Sequence, residues 1–159
     1  MSYICTHCGK QHTDLPHIGS AAPYHWSRSL ASDPESLLTE DLCIIEGHDF
    51  FVRGVIEIPV HDYEQEFGWG VWVSQKKENF DTYRQHFRSA DIGPFFGWLC
   101  TAIDYYPVST LQLKTMAHYR GGSLRPRIVL EPSNHSLYQQ QHHGISLHEA
   151  WRIVHHYMA

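Results

Sequence analysis

The chain of 159 residues has no apolar run near the roughly 20 residues that a membrane-spanning helix needs. Its N-terminus also lacks the charged segment and the apolar segment of a secretory signal peptide. Basic residues are few, 12 against 17 acidic ones, and the net charge of −5 argues against nucleic acid as a partner. These absences favour a cytoplasmic protein that binds neither membrane nor nucleic acid.

The common catalytic motifs are missing as well. The sequence contains no P-loop and no glycine-rich dinucleotide fingerprint. It contains no nucleophile elbow and no helical zinc-protease motif. No reaction is therefore indicated, and the balance favours a protein that is not an enzyme.

The composition is that of a globular domain rich in aromatic rings. Apolar residues make up 42% of the chain, aromatic residues 13% and charged residues 18%. A chain of this length forms one domain over residues 1–159. Within it we distinguish a knuckle and leader loop over 1–30, a sheet with one inserted helix over 41–132, and C-terminal helices over 133–159.

Period-two alternation and turn residues predict an α+β fold. Consecutive strands joined by short turns favour antiparallel pairing. We therefore expect a mainly antiparallel sheet of about six strands, packed by two or three helices and preceded by an N-terminal CxxC knuckle. The predicted strands are 42–45, 50–60, 67–74, 95–103, 111–120 and 127–131; the predicted helices are 32–38, 77–88, 133–141 with Ser133 or Asn134 as cap, and 146–157 with Ser146 as cap.

The N-terminus carries the pattern Cys5-x-x-Cys8-Gly, which is half of a structural zinc site. Cys43, on an early strand, is the best remote candidate for a third ligand, and His12 is the nearest imidazole for a fourth. Cys100 is expected to be a buried core thiol. Two other interpretations stay open: a site that holds no metal, and a redox dithiol, which the lack of a neighbouring βαβ pattern disfavours.

Charged residues also alternate along the predicted strands. Arg53 and Glu57 share one strand face but are about 13 Å apart, so each needs a partner on another element. The charged residues of the fifth and sixth strands could complete a common surface, either as a recognition site for an anionic or polar ligand or as a solvated face with cross-strand ion pairs. The residues of this candidate ligand or partner surface are Arg53, Glu57, His118, Arg120, Arg127 and Glu131.

An ordered set of short motifs spans nearly the whole chain. Together they resemble a bacterial family catalogued as domain of unknown function 2199, and the opening Cys5-x-x-Cys8-Gly and the Leu-Cys43 strand also fit its pattern. The resemblance implies a single bacterial domain and strengthens the grouping of the three cysteines, but it implies no activity. The motifs are Asp41–Cys43, Phe50–Gly54, Ile56–Val60, Trp69–Ser74, Gly97–Leu99, and Leu124–Pro126 through Glu131-Pro132 with His135.

Two functional hypotheses follow. The first is a non-enzymatic bacterial binding or accessory protein, with a structural zinc knuckle and another protein as its partner. The second is a small metal-dependent hydrolase, in which Cys5, Cys8 and one or two histidines leave a coordination position for water. Surplus aromatic residues and strand edges would also fit a homodimer.

Overall fold

The computed structural model describes residues 14–158, together with the backbone pairing of residues 3–4 and 11–12. The described strands are β1 Tyr3–Ile4, β2 Gln11–His12, β3 Ile18–Gly19, β4 Leu37–Leu38, β5 Leu42–Ile45, β6 Asp49–Ile58, β7 Phe67–Gln75, β8 Phe95–Trp98, β9 Lys114–His118 and β10 Arg127–Leu130. The described helices are α1 Lys77–Gln85, α2 Ser136–His143 and α3 Leu147–Met158, with a 3-10 helix at Arg28–Ser32. Within this part of the chain, no helix combines the length and apolar character that a bilayer crossing requires.

The centre of the fold is the meander of β5, β6 and β7. Strand β6 pairs antiparallel with β5 on one edge and with β7 on the other. Its alternation places Val52, Ile56 and Ile58 in the main core, and all three are fully buried. The predicted hairpin, the third strand and their faces are confirmed.

The sheet is mixed and has eight strands, β3 to β10. Two of the seven pairings between these described strands are parallel, β3 with β7 and β10 with β6, and the other five are antiparallel, so the sheet is mainly antiparallel as predicted but not wholly so. The strand β10 meets β6 at Val55, beyond the end of β5, so β6 changes its neighbour along one edge. The predicted α+β class is correct, and the three described α-helices agree with the expected two or three. The strand number is corrected from about six to eight, in a sheet that is mixed.

The sheet also closes on itself. One edge of β8 pairs with β9, and its continuation meets β7 through an antiparallel bridge between Leu99 and Val73. The Cys100 N–H donates to the Trp72 carbonyl over 2.8 Å. The pairings β6–β7–β8–β9–β10–β6 thus form a ring, with the main apolar core inside it.

Close backbone approach and one buried amide hold this closure. At Gly97, a Cβ atom would overlap the carbonyl oxygen of Ser74. The Gln75 side chain lies beside it, donating to the carbonyls of Ser74 at 2.8 Å and Phe96 at 3.1 Å, and accepting from the Tyr119 hydroxyl at 3.0 Å. The contact between β7 and β8 therefore needs a glycine at position 97.

The helices pack on the main core through a few large side chains. Phe80 and Tyr83 enter from α1, Leu137 from α2 and Val154 from α3. The predicted capping box is confirmed, because the Glu149 N–H donates to Ser146 Oγ over 3.0 Å.

The cap of α2 is corrected to His135, in place of Ser133 or Asn134. Its Nδ1 accepts from the Leu137 N–H over 3.0 Å. The other ring nitrogen of His135 is hydrogen-bonded to the Val108 carbonyl over 2.9 Å, which fixes the ring at the start of the helix.

The predicted helix over 32–38 is wrong. A 3-10 helix ends at Ser32, and the Asp33 carboxylate accepts from the Glu35 N–H at 3.1 Å and from Ser36 Oγ at 2.7 Å. This turn lets Leu37 and Leu38 pair with β5 as a short strand. Pairing with a neighbouring strand therefore prevails over the local helix-start pattern.

A Gly97→Ala substitution tests the closure. We expect it to lower the free energy of unfolding by about 3 kcal/mol, because the Ser74 carbonyl cannot rotate away from an added methyl group. Gly122→Ala is the matched control. That position has open space and a φ of +60°, so backbone strain alone should cost about 1 kcal/mol. Urea denaturation gives the free energy of unfolding of both variants. If Gly97→Ala lost no more of it than Gly122→Ala does, the close contact between β7 and β8 would be contradicted.

A Tyr83→Phe substitution tests the burial of the α1 aromatic side chain. Burial raises the pKa of Tyr83 to about 12 from an ordinary 10.0, with the Asp41 charge adding to the shift. The unfolded chain therefore loses this proton first, so the contribution to stability is present below pH 10 and is lost as pH rises toward 12. Removing the hydroxyl should reduce the fall in unfolding free energy between pH 9 and 11 by about 1 kcal/mol.

The control for Tyr83→Phe is Tyr24→Phe, since Tyr24 is 62% exposed. Urea titrations at pH 9, 10 and 11 give the two slopes. Parallel slopes for wild type and Tyr83→Phe would show that this hydroxyl ionises equally well in the folded protein.

Candidate functional site

The predicted zinc ligands fall mostly outside the described residues. Cys5 and Cys8 are among the residues that are not described, and for His12 the structure gives the backbone pairing with Tyr3 alone. Among residues 14–158, no three histidine, cysteine or carboxylate side chains lie together as a metal site would require. The zinc site, and the hydrolase that depends on it, thus stay predictions.

Cys43 lies in a second apolar cluster on the outside of the ring. It is fully buried, and burial raises the pKa of its thiol to about 12. The cluster also contains Phe51, Trp72 and Cys100, and the segment that carries Trp26 packs against it. Cys100 is buried as predicted, and burial raises the pKa of its thiol to about 11.

Four of the six predicted surface residues come together on the outer face of β6, β9 and β10. The Arg120 Nη1 lies 3.0 Å from Glu57 Oε1, and the Arg127 Nε lies 3.5 Å from the same oxygen. His118 is the cross-strand neighbour of Arg127. We call these four residues the charged surface. Its geometry favours cross-strand ion pairs over an empty anion site, because the Glu57 carboxylate is already paired with both arginines.

The other two predicted residues lie apart from the charged surface. Arg53 donates from Nη1 to the Glu40 carbonyl over 3.3 Å, and its guanidinium lies 5.9 Å from the centre of the Trp72 ring. Burial lowers the pKa of Arg53, and the nearby Arg125 charge adds to that effect. Glu131 follows β10 beside Lys114, about 13 Å along the strand from Arg127.

A cleft of about 270 Å³ opens on the outer face near the start of β6. We call it the outer cleft. Three separate parts of the chain build it: the loop before the 3-10 helix, the β5–β6 turn with the start of β6, and the β7–β8 closure with Gln112 beside it. Its lining residues are His25, His48, Asp49, Phe50, Phe51, Ser74, Gln75, Trp98, Cys100 and Gln112.

Local structure positions each wall of the outer cleft. The tight turn at Glu46 and Gly47, both with positive φ, presents His48 and Asp49 at its rim. The His25 ring stacks on Phe51 at 6.2 Å with an interplanar angle of 18°. Ser74 Oγ accepts from the Trp98 N–H over 3.0 Å, which ties the β8 wall to β7.

Trp98 is the exposed aromatic residue of this cleft. It is 39% exposed and contacts Phe96, which is 37% exposed, edge to face at 5.2 Å. Both aromatic side chains lie on the outer face of the closed sheet, because Phe95 and Leu99 occupy the alternate, inward positions. Lys114 Nζ lies 5.9 Å from the centre of the Trp98 ring. Large exposed rings beside a cavity are typical of recognition sites.

Sequence reasoning missed the outer cleft. In the sequence, His48 and Asp49 are typical turn residues, and His25 belongs to a loop with no recognisable pattern. One signal was available: Phe96 and Trp98 are two positions apart, so they share the strand face opposite to Leu99. A strand with large aromatic side chains on both faces indicates that one of them is exposed or covered by a partner.

Comparisons with known proteins give a family and no activity. The family model described as "Uncharacterized protein conserved in bacteria (DUF2199)" matches residues 4–145. The match includes every residue that lines the outer cleft. No curated protein and no solved structure matches the chain.

Proposed function

The chain belongs to the bacterial DUF2199 family, as its motifs indicated, and from that premise we propose that it is a binding protein which recognises a partner protein through the outer cleft. The observation that carries this proposal is the exposed Trp98 at a cavity walled by other aromatic and polar side chains. Such a site binds one inserted side chain by contact area and a few hydrogen bonds.

The packing of two of its walls supports binding as the role of the cleft. Phe51 is 4% exposed and belongs to the second apolar cluster, and Trp98 lies on the strand that closes the ring. Side chains held in this way lose little conformational freedom when a ligand arrives, which favours affinity. The partner supplies the mobile group, and this chain supplies the preformed cavity.

A panel of blocked tripeptides, acetyl-Gly-X-Gly-amide with X varied over all side chains, tests this function. We expect at least one member to shift the indole N–H resonance of Trp98 and the side-chain amide of Gln112, with a Kd of about 1 mM. The measurement is a ¹H–¹⁵N correlation spectrum of the labelled protein, with the indole signal assigned from Trp98→Phe.

The matched control for this panel is Val108→Ala, at a site that is 65% exposed and does not line the outer cleft. Trp98→Ala should abolish the shifts, and Val108→Ala should leave them unchanged. If none of the tripeptides shifts a resonance of the cleft, the proposed function is wrong.

We also propose a structural zinc ion on Cys5, Cys8, Cys43 and His12. Two thiolates at this spacing supply half of a tetrahedral site, and a structural zinc ion stabilises the fold that its ligands share. The protein purified without added metal should carry about one equivalent of zinc. Elemental analysis measures it.

Variants of single cysteines separate this site from an adventitious thiol. Cys8→Ser should lose the metal and lower the melting temperature. Cys100→Ser is the matched control, because Cys100 is a buried thiol outside the proposed ligand set. Far less than one equivalent in the wild-type protein, or equal loss in both variants, would contradict the site.

A further inference from the structure

We infer that the outer cleft takes an organic cation, a guanidinium or ammonium group, with Asp49 and the Trp98 ring as its two recognition elements. The inference rests on the proposed function and names the chemistry of the group that enters the cleft. It follows from the charge of the cleft, from its aromatic walls and from its size.

The charge of the cleft favours a cation. Of the described residues that line it, Asp49 carries the one carboxylate, His25 and His48 are the titratable bases, and none is a lysine or an arginine. Asp49 is exposed, and none of the salt bridges among the described residues includes it, so its carboxylate can approach an incoming group. A carboxylate at the rim of a cavity attracts a cation and repels an anion.

The aromatic walls favour the same ligand. A cation within about 6 Å of an aromatic ring centre is attracted to the ring face, most strongly for tryptophan. The outer face uses this contact twice within the chain itself, between Lys114 and Trp98 at 5.9 Å and between Arg53 and Trp72 at 5.9 Å. The Trp98 ring therefore already holds an ammonium group at this distance.

The size of the cleft suits a small group. Its volume of about 270 Å³ is just below the range of about 300–1,000 Å³ that is typical of sites for drug-sized molecules. The end of one arginine or lysine side chain is small enough for this volume. Gln112, at the wall, offers an amide oxygen that can accept a further hydrogen bond from such a donor.

The decisive comparison uses two peptides of the same shape and different charge. Acetyl-Gly-Arg-Gly-amide carries a guanidinium, and its citrulline counterpart carries a neutral urea group in the same place. At pH 8 and low salt, the arginine peptide should bind at least about fivefold more tightly, as the Trp98 indole resonance reports. Agmatine, a free guanidinium compound, forms a further arm that distinguishes a small amine from a side chain within a peptide.

Two variants assign the cation to its recognition elements. Asp49→Asn should weaken binding of the arginine peptide by about fivefold and leave binding of the citrulline peptide unchanged. Lys114→Gln should strengthen binding of the arginine peptide by about twofold, since the substitution removes a like charge beside Trp98. Asp91→Asn is the control for net charge, because Asp91 is exposed and does not line the outer cleft.

The outcomes separate this inference from the proposed function. Equal binding of the arginine and citrulline peptides, or no effect of Asp49→Asn, would overturn the inference that the ligand is a cation. The cleft would then be a site for neutral groups. Shifts with an aromatic or acidic tripeptide and none with arginine or lysine would do the same. Binding of agmatine with no binding of the arginine peptide would keep the cation and exclude a partner protein as its source. Circular dichroism confirms that each variant is folded.

Discussion

The contact between β7 and β8 is the constraint on which the rest of the structure depends. Leu99 pairs with Val73, the absence of a side chain at Gly97 lets the two backbones meet, and the Gln75 amide links three strands at that point. Without this contact the strands would form an open sheet, and the apolar side chains of its inner face would need another cover. With it, the core is enclosed and the outer face is left for other interactions.

The outer face divides into regions of different character. The segment that carries Trp26 and Leu30 covers Cys43, Phe51 and Trp72, so this part of the face is dry. On the charged surface, Glu57 forms ion pairs with both Arg120 and Arg127. Between the dry region and the β8 strand lies the outer cleft, where Trp98 stays partly exposed. The proposed recognition site is the region of this face whose aromatic and polar side chains stay partly exposed.

Local pattern predicts much of this fold, and most of its failures involve segments that are distant in the sequence. Alternation identifies β5, β6 and β7 because the turn between β5 and β6 is short and the inner faces of β6 and β7 are apolar. The helix predicted over 32–38 is replaced by a strand that pairs with β5, five to seven residues further on, so here a local pairing prevails over a local helix-start pattern. The parallel pairing of β10 with β6, in contrast, depends on a partner that is distant in the sequence. The outer cleft is not predictable from local pattern either, since His25, Asp49 and Trp98 belong to separate segments with no shared periodicity. Contacts set by closure leave no local signal.

The change of neighbour along β6 has a consequence for synthesis. Strand β10 lies far downstream, so the second half of β6 has an open edge until residues near Arg127 have left the ribosome, an interval of several seconds at about 5–20 residues per second. An open edge invites pairing with other nascent chains. Arg53 and Glu57 lie on this part of β6, and charged side chains on an open edge oppose pairing of that kind. Glu57 thus has one use in the nascent chain, as a charge on the open edge, and another in the complete fold, where it pairs with Arg120 and Arg127.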